Sequence, residues 1–213
     1  MDATVTVTEV TAVGPETIAI NFESPEEFHA QPGQFVKLSA TVAGEEYARF
    51  YTLSSPDVAD TFEITVEIDP AESGPFSDHL AELAAGDEIE MSGPFGSDYY
   101  EDESRVVVLA GGPGVGPAVG IGERAHADGN AVHLVYRADT PVHETRLSEL
   151  ETAGATVTIT TDEAFAAAVD EAVTAAADEQ VFVYGFGEFV TAATAAIEAA
   201  GGDPDGAKVE NFG

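Results

Sequence analysis

The chain contains no cysteine. That excludes disulfides, a thiolate-bound iron–sulfur cluster, a cysteine-rich zinc site and a cysteine nucleophile within its 213 residues. Redox chemistry here would have to rest on a bound organic cofactor or on other metal ligands. Basic residues are nearly as scarce, with 7 Lys and Arg against 40 Asp and Glu. Duplex nucleic acid is therefore not an expected partner, because holding its phosphates takes clustered Lys and Arg. No apolar run approaches the roughly 18 residues of a membrane span. The opening MDATVTVTEV has neither the basic start nor the apolar stretch of a secretion signal. The expectation is a cytoplasmic protein with no membrane span.

What is present points to a folded chain. Acidic chains this charged are often disordered, but 44% hydrophobic residues with clear periodicity argue for a packed core inside an anionic shell. A net charge of −33 repels itself in dilute buffer. The screening length falls to about 3 Å at molar salt, which removes most of that repulsion. Composition thus predicts a salt-adapted protein of a high-salt cytosol, of haloarchaeal type.

The pattern divides the chain in two. Up to about residue 95, alternating stretches at 3–13, 17–22, 34–40, 47–53, 62–68 and 87–91 read as short strands separated by Gly and Pro turns, the grammar of a small antiparallel barrel. One helix is predicted inside it, over 75–83, with Phe76, Leu80 and Leu83 at helical spacing. After Arg105, apolar strands at 106–110, 131–136, 155–160 and 180–184 alternate with helical segments near 116–127, 144–153, 163–177 and 187–200. That is the pattern of a doubly wound parallel sheet. The loop GSDYYEDES, 96–104, marks the boundary, giving domains 1–98 and 99–213.

Several stretches carry chemistry. RVVVLAGGPGVGPAVGI, 105–121, reads as strand, glycine turn and helix start, where backbone N–H groups can meet a pyrophosphate. Its spacing, Gly112-x-Gly114-x-x-Pro117, departs from the dinucleotide fingerprint, and an ordinary strand-to-helix turn is the alternative. In RFYTLSS, 49–55, alternation sends Arg49, Tyr51 and Leu53 to one face. Such a row suits an arginine on a phosphate and a tyrosine on a flat ring, or simply an edge-strand arginine neutralising nearby acid. Ser77, in the first turn of the barrel's helix, suits a phosphate or a helix cap. The five histidines show no metal-ligand spacing, so no metal site is expected. His133 falls in a buried strand and the others near helix or loop surfaces.

The order of these stretches is more specific than any one of them. PGQF, RFYTLSS, GPFS, GPFG, GGPGVGP, YGFG and a terminal ENFG follow one another as in the ferredoxin-NADP reductase family of flavoproteins, which the chain resembles over nearly its whole length. The resemblance implies a flavin-binding barrel followed by an NAD(P)-binding α/β domain, with FAD favoured over FMN and NADH or NADPH as co-substrate. It implies that Arg49 contacts the flavin phosphate, that Phe50 belongs to the same motif, that Tyr51 packs on the isoalloxazine and that Thr52 bonds near N5. Val66, Glu67 and Ile68 would border the cofactor, and Gly74, Phe76 and Ser77 would hold the pyrophosphate. Gly112, Gly114, Val115 and Pro117 would form the nicotinamide-nucleotide site, with Gly185 and Phe186 beside the nicotinamide. Glu210 and Phe212 would be the terminal acid and aromatic near the flavin, and Tyr51, Thr52 and Glu210 the catalytic set. The family's cysteine is replaced around Tyr184-Gly185-Phe186.

The activity so implied is transfer of hydride from NAD(P)H to FAD and of electrons onward to a separate ferredoxin-like carrier, or the reverse. An NAD(P)H:flavin or quinone reductase with a small-molecule acceptor is the alternative, as is a non-catalytic flavin-binding electron-transfer or sensor subunit. Lack of cysteine sets aside the cluster-bearing subunit that feeds dihydroorotate dehydrogenase. The choice of nucleotide stays open. Arg137, ending the second α/β strand, suits a 2'-phosphate, whereas Asp139 nearby suits a ribose hydroxyl; by the resemblance, Asp162 puts an acid near where NADPH enzymes of the family often carry Ser and Arg.

Overall fold

A computed structural model of the chain describes residues 1–68 and 74–213. Six strands lie in the first part: β1 Asp2–Gly14, β2 Thr17–Glu23, β3 Phe35–Val42, β4 Glu45–Thr52, β5 Thr61–Glu67 and β6 Glu88–Phe95. They form an antiparallel sheet in the order β4-β3-β6-β1-β2-β5. A bridge between Leu53 and Ile64 brings its two edges together, so the sheet curls into a barrel. Alternation explains the curl: Val5, Val7, Ile20, Phe22, Val36, Leu38, Ile64, Ile89 and Met91 all turn inward. One helix, α1 Pro75–Glu82, plugs it with Phe76 and Leu80.

The second part is a five-stranded parallel sheet in the order β11-β10-β7-β8-β9. Its strands are β7 Arg105–Gly111, β8 Ala131–Arg137, β9 Thr156–Thr160, β10 Glu179–Gly185 and β11 Lys208–Asn211. The helices α2 Val115–Ala127, α3 Glu144–Ala153, α4 Asp162–Ala172 and α5 Gly187–Ala199 cover it. The central strands are apolar on both sides: Val106, Val108 and Ala110 pack in one core with α2 and α3, Val107 and Leu109 in another with α4 and α5. The two-domain architecture expected from sequence is thus observed.

Three local differences have physical causes. The helix expected over 163–177 stops at Ala172, because the Thr174 and Ala175 N–H groups donate to the Glu179 carboxylate at 3.0 Å and not to helix carbonyls. Strand β6 runs on to Phe95, past the expected stop at Met91. β11 was not expected at all; with only Val209 apolar, its four residues give no periodic signal.

The loop between Phe95 and Arg105 is held in place. Tyr100 is buried in the core of the second sheet, and Asn130 donates to its hydroxyl at 2.6 Å. Lys208 donates to the Tyr99 carbonyl and pairs with Glu101 and Glu103.

Candidate functional site

A cleft of about 370 Å³ opens between barrel and α/β layer. Barrel residues Arg49, Phe50, Tyr51, Thr52, Thr65, Val66, Glu67 and Ser77 form one wall, and Pro113, Pro117, Phe186 and Phe212 face them. Residues more than 150 positions apart in sequence thereby converge on one space.

The barrel wall follows from β4. Its end leaves the closed part of the sheet, so Arg49 and Phe50 are exposed while Tyr51 tucks in against Phe76, ring centroids 6.5 Å apart. Burial pushes the Tyr51 phenol up to about 12, against the pull of Arg49, so it is a neutral O–H at ordinary pH. Arg49 makes no ion pair among the described residues; its Nη1 donates to the Ala48 carbonyl at 2.8 Å. Phe50, 62% exposed, meets Phe35 and Phe95 edge-on, at 5.4 and 6.1 Å.

Thr52 lines the cleft, whereas Glu210, expected in the catalytic set, is not among the lining residues. Thr52 Oγ1 is buried and has no hydrogen bond of good geometry among the described residues. It stands near enough to the Glu210 carboxyl to draw that group's pKa down, but burial dominates and, with Asp98, pushes it up to about 7. Strand β11 positions Glu210 opposite Tyr184 of β10. Phe212 follows, its N–H donating to the Gly185 carbonyl and its ring standing at 90° to Phe186, centroids 6.0 Å apart.

At α1, the cap residue Gly74 makes no side-chain cap, and Ser77 lines the cleft. Ser77 is therefore not the capping residue that sequence left as an alternative. Phe76 is buried in the barrel core and reaches the cleft only by supporting Tyr51. Val66 is buried too, whereas Ile68 packs on the barrel core and its N–H donates to the Glu16 carbonyl, outside the cleft lining.

The glycine turn works differently from the sequence expectation. Gly112 has φ +55°, and a Cβ built on it would lie 4.0 Å from both Glu67 Oε2 and the Phe186 ring, so it faces the cleft mouth. Pro117 lines the cleft. Gly114 and Val115 do not. A Cβ on Gly114 would strike the Tyr184 carbonyl, while the Val115 side chain is fully buried and its N–H already donates to Gly112 and Pro113 carbonyls. Gly116 and Gly120 let α2 press against Ser54 and Thr65 of the barrel. These glycines chiefly admit protein to protein, a close approach that sequence alone reads equally as room for a ligand.

Arg137 stands outside the cleft lining, at the carboxyl end of β8. It pairs with Asp162 at 3.1 Å, and its guanidinium lies over the rings of Phe189 and Phe165, 4.8 and 5.5 Å from their centroids. Sequence reasoning missed Thr65, which carries no local signal, and held Pro113 only as part of the GGPGVGP stretch without a role of its own. It also set His143 near the surface, which the structure corrects. His143 is buried, its Nε2 2.8 Å from Thr65 Oγ1, which in turn meets Ser54 Oγ at 2.7 Å. Beside it Arg146 reaches across to Glu63 and the Ser54 carbonyl, and back to Glu123, each at 2.7 Å. Among the described residues no cluster of His, Asp and Glu is arranged to hold a metal.

Residues 4–100 match the family of oxidoreductase FAD-binding domains. Over 108 residues the chain is 36% identical to the "probable dihydroorotate dehydrogenase B (NAD(+)), electron transfer subunit" of Methanopyrus kandleri, covering 51% of this chain and 38% of that protein. The chain therefore spans well under half that relative's length. This likeness narrows the inference drawn from missing cysteine: no thiolate cluster sits on these residues, but over 108 of them the chain is similar to that subunit. By structure, the flavohem-like FAD/NAD binding domain of nitric oxide dioxygenase from Vibrio cholerae O1 biovar El Tor superposes with a TM-score of 0.86 at 21% identity, over 99% of this chain and 98% of that one. A ferredoxin NADP+ reductase from Neisseria gonorrhoeae gives 0.81 at 19% identity, over 100% and 99%. Barrel, cleft and parallel sheet thus have the two-domain fold of ferredoxin-NADP+ reductases, and residues 4–100 match the model of the oxidoreductase FAD-binding domain family.

Proposed function

We propose that the cleft holds FAD against the barrel wall and a nicotinamide nucleotide against the glycine turn, and that the chain passes electrons from NAD(P)H to a separate ferredoxin-like carrier. One observation carries the reading: side chains suited to a flavin and to its nucleotide donor line a single cleft from opposite domains. The residues fit a flavin. Tyr51 offers a ring face, and among the described residues Arg49 offers a guanidinium without a carboxylate partner and Thr52 a buried hydroxyl lacking a well-formed hydrogen bond. Bound there, FAD would supply two-electron acceptance from a reduced nicotinamide and one-electron release.

The chain's own residues would bind, orient and move protons. Arg49 and Ser77 hold phosphate oxygens, with the Gly74 turn giving backbone access. Val66 and Glu67 border the ring system. Gly112, Pro117, Gly185 and Phe186 shape the nicotinamide side, where Phe186 and Phe212 exclude water. Two walls fixed on rigid strands keep the reacting rings in register. Glu210, raised by burial to about 7 and set against the Thr52 hydroxyl, could relay a proton through it.

In this reading domain 1–98 carries the flavin and 99–213 the nucleotide, and the protein works in a salt-rich cytosol. The many carboxylates and the net charge of −33 support salt adaptation. No described helix is long and apolar enough to cross a membrane. Anaerobic titration of the flavin-loaded protein tests the function. NADH or NADPH should bleach the flavin band, and a purified ferredoxin should then be reduced faster than free flavin or a quinone. Failure to take up flavin in molar KCl would end the reading, and faster reduction of the small acceptor would turn it toward a quinone reductase.

A further inference from the structure

We propose that His143 is a positioning residue for hydride transfer, holding the barrel wall of the cleft to the nucleotide wall through Thr65; the inference rests on the flavin and nicotinamide reading of the cleft. Thr65 lines the cleft from β5, whereas His143 is buried outside the lining, at the start of α3. Its Nε2 lies 2.8 Å from Thr65 Oγ1, which in turn lies 2.7 Å from Ser54 Oγ. On β5, Glu63 and Thr65 stand two positions apart and share the outer face of the barrel. On α3, His143 and Arg146 are three apart and so share one side of its first turn. The two pairs match: Arg146 takes Glu63 and the Ser54 carbonyl, each at 2.7 Å, while His143 takes Thr65. From α2, a Cβ on Gly116 would strike both the Thr65 and the Ser54 hydroxyls, and the next residue, Pro117, lines the opposite wall. The hydroxyl pair therefore lies at the seam where the two walls meet.

Capping the helix does not account for this histidine. It has φ +55°, a region costly to a non-glycine residue, and makes no side-chain cap bond to α3. Ser, Thr, Asp or Asn is the residue suited to that place. Burial, with Arg146 adding, holds the imidazole pKa down at about 4, so the ring is neutral and offers one N–H and one lone pair. Among the described residues the ring makes one hydrogen bond, to Thr65. Arg146 also crosses the domain boundary, but Glu63 and Ser54 stand outside the cleft lining. Thr65 carries the hold of the α/β layer into the wall itself. Without Nε2 it keeps only the barrel's own Ser54, and the two walls lose a shared bond. A misplacement of about 1 Å can cost on the order of a hundredfold in rate, so the seam bears on transfer more than on binding.

The flavin-loaded protein, His143→Leu, His143→Gln, Thr65→Val and the double variant His143→Leu with Thr65→Val separate the outcomes. Glutamine places a polar group near the Nε2 position, and both replacements at 143 must adopt the same backbone conformation, so their difference isolates the bond. In molar KCl, stopped-flow bleaching by NADH and NADPH gives the rate of hydride transfer, calorimetry the nucleotide affinity and fluorescence the flavin affinity. Melts of the flavin-free protein give a readout independent of electron transfer. His143→Leu and Thr65→Val should each slow transfer by about tenfold or more while both affinities stay within about threefold. The double variant should be no slower than the worse single one, and in the melts the two losses should fall short of their sum. His143→Gln should keep most of the rate. Transfer within about threefold of the unaltered rate in His143→Leu, whatever its melting temperature, makes the contact structural only and overturns the inference alone. So does a glutamine variant as slow as the leucine one, a loss confined to nucleotide affinity, or losses that simply add. Should His143→Leu not fold, Thr65→Val set against His143→Gln decides by the same criteria. If the unaltered protein takes up no flavin, or neither nucleotide bleaches it, the reading of the cleft fails and this inference with it.

Discussion

Two titrating groups, half-buried Glu210 and buried His143, respond to pH in opposite directions. Glu210 is raised from the ordinary carboxylate range to about 7 by burial, so the folded protein keeps a proton that the unfolded chain gives up near 4.5. Stability from this group is present below the unfolded value and is lost as pH climbs to 7. Glu210→Gln should therefore raise the melting temperature at pH 8 by an amount worth about 1–3 kcal/mol and change little at pH 4, while slowing proton-coupled flavin reduction. A melting temperature unchanged at pH 8 would contradict this. His143 runs the other way. Burial, with Arg146 adding, holds its pKa down at about 4, so below 6.5 the unfolded chain takes up a proton that the folded one refuses. Its contribution is complete above pH 6.5 and lost on the way to 4. The groups facing it are Thr65 and Ser54 from the barrel and Arg146 from α3, with Glu63 and Glu123 bound to that arginine. His143→Gln should flatten the difference in melting temperature between pH 6.5 and 4.5 relative to the unaltered protein.

At the scale of elements, helix α2 is the piece that joins the domains. Gly120 rests on the Ser54 backbone, and a Cβ there would stand 2.7 Å from the Ser54 carbonyl oxygen. Backbone cannot step aside as a side chain can. Gly120→Ala should cost about 1–3 kcal/mol and weaken flavin retention, read by thermal melts and by absorbance after gel filtration. The elements themselves were largely legible. Strands such as β2 and β5 alternate cleanly, and the apolar run at 105–110 announces a strand buried on both faces. What stayed hidden depended on tertiary partners. Glu179 ends α4 early from the far side of a turn, and β11 is a strand only because β10 offers an edge. The same holds at the site: Arg49, Tyr51, Thr52 and Ser77 could be found by the order of their motifs. Thr65 and His143, 78 residues apart, could not, since nothing local in either stretch names the other. Arg137 and Asp162 gave conflicting hints as separate residues because they oppose one another directly in the fold.

For the molecule as a whole, charge sets the conditions of stability. Among the described residues, Arg105, Arg124, Arg137, Arg146 and Lys208 are committed to ion pairs, and with only seven basic residues in the chain most of the 40 carboxylates are left to repel one another. Raising KCl from 0.1 to 1 M shortens the screening length from about 10 to about 3 Å, so the melting temperature should climb steeply with salt. Unfolding on dialysis into dilute buffer is the expected extreme, and full stability there would count against salt adaptation. His143, which caps the start of α3, offers a way to see which part yields first. The His143 backbone N–H donates to the Val13 carbonyl of the barrel at 2.9 Å, a main-chain bond spanning both domains. Exchange of that one amide with deuterated solvent requires the two halves to part there. Compared with Val108 in the central strand, whose amide opens only with the sheet, its rate would tell whether lowering salt first separates the domains or melts them together.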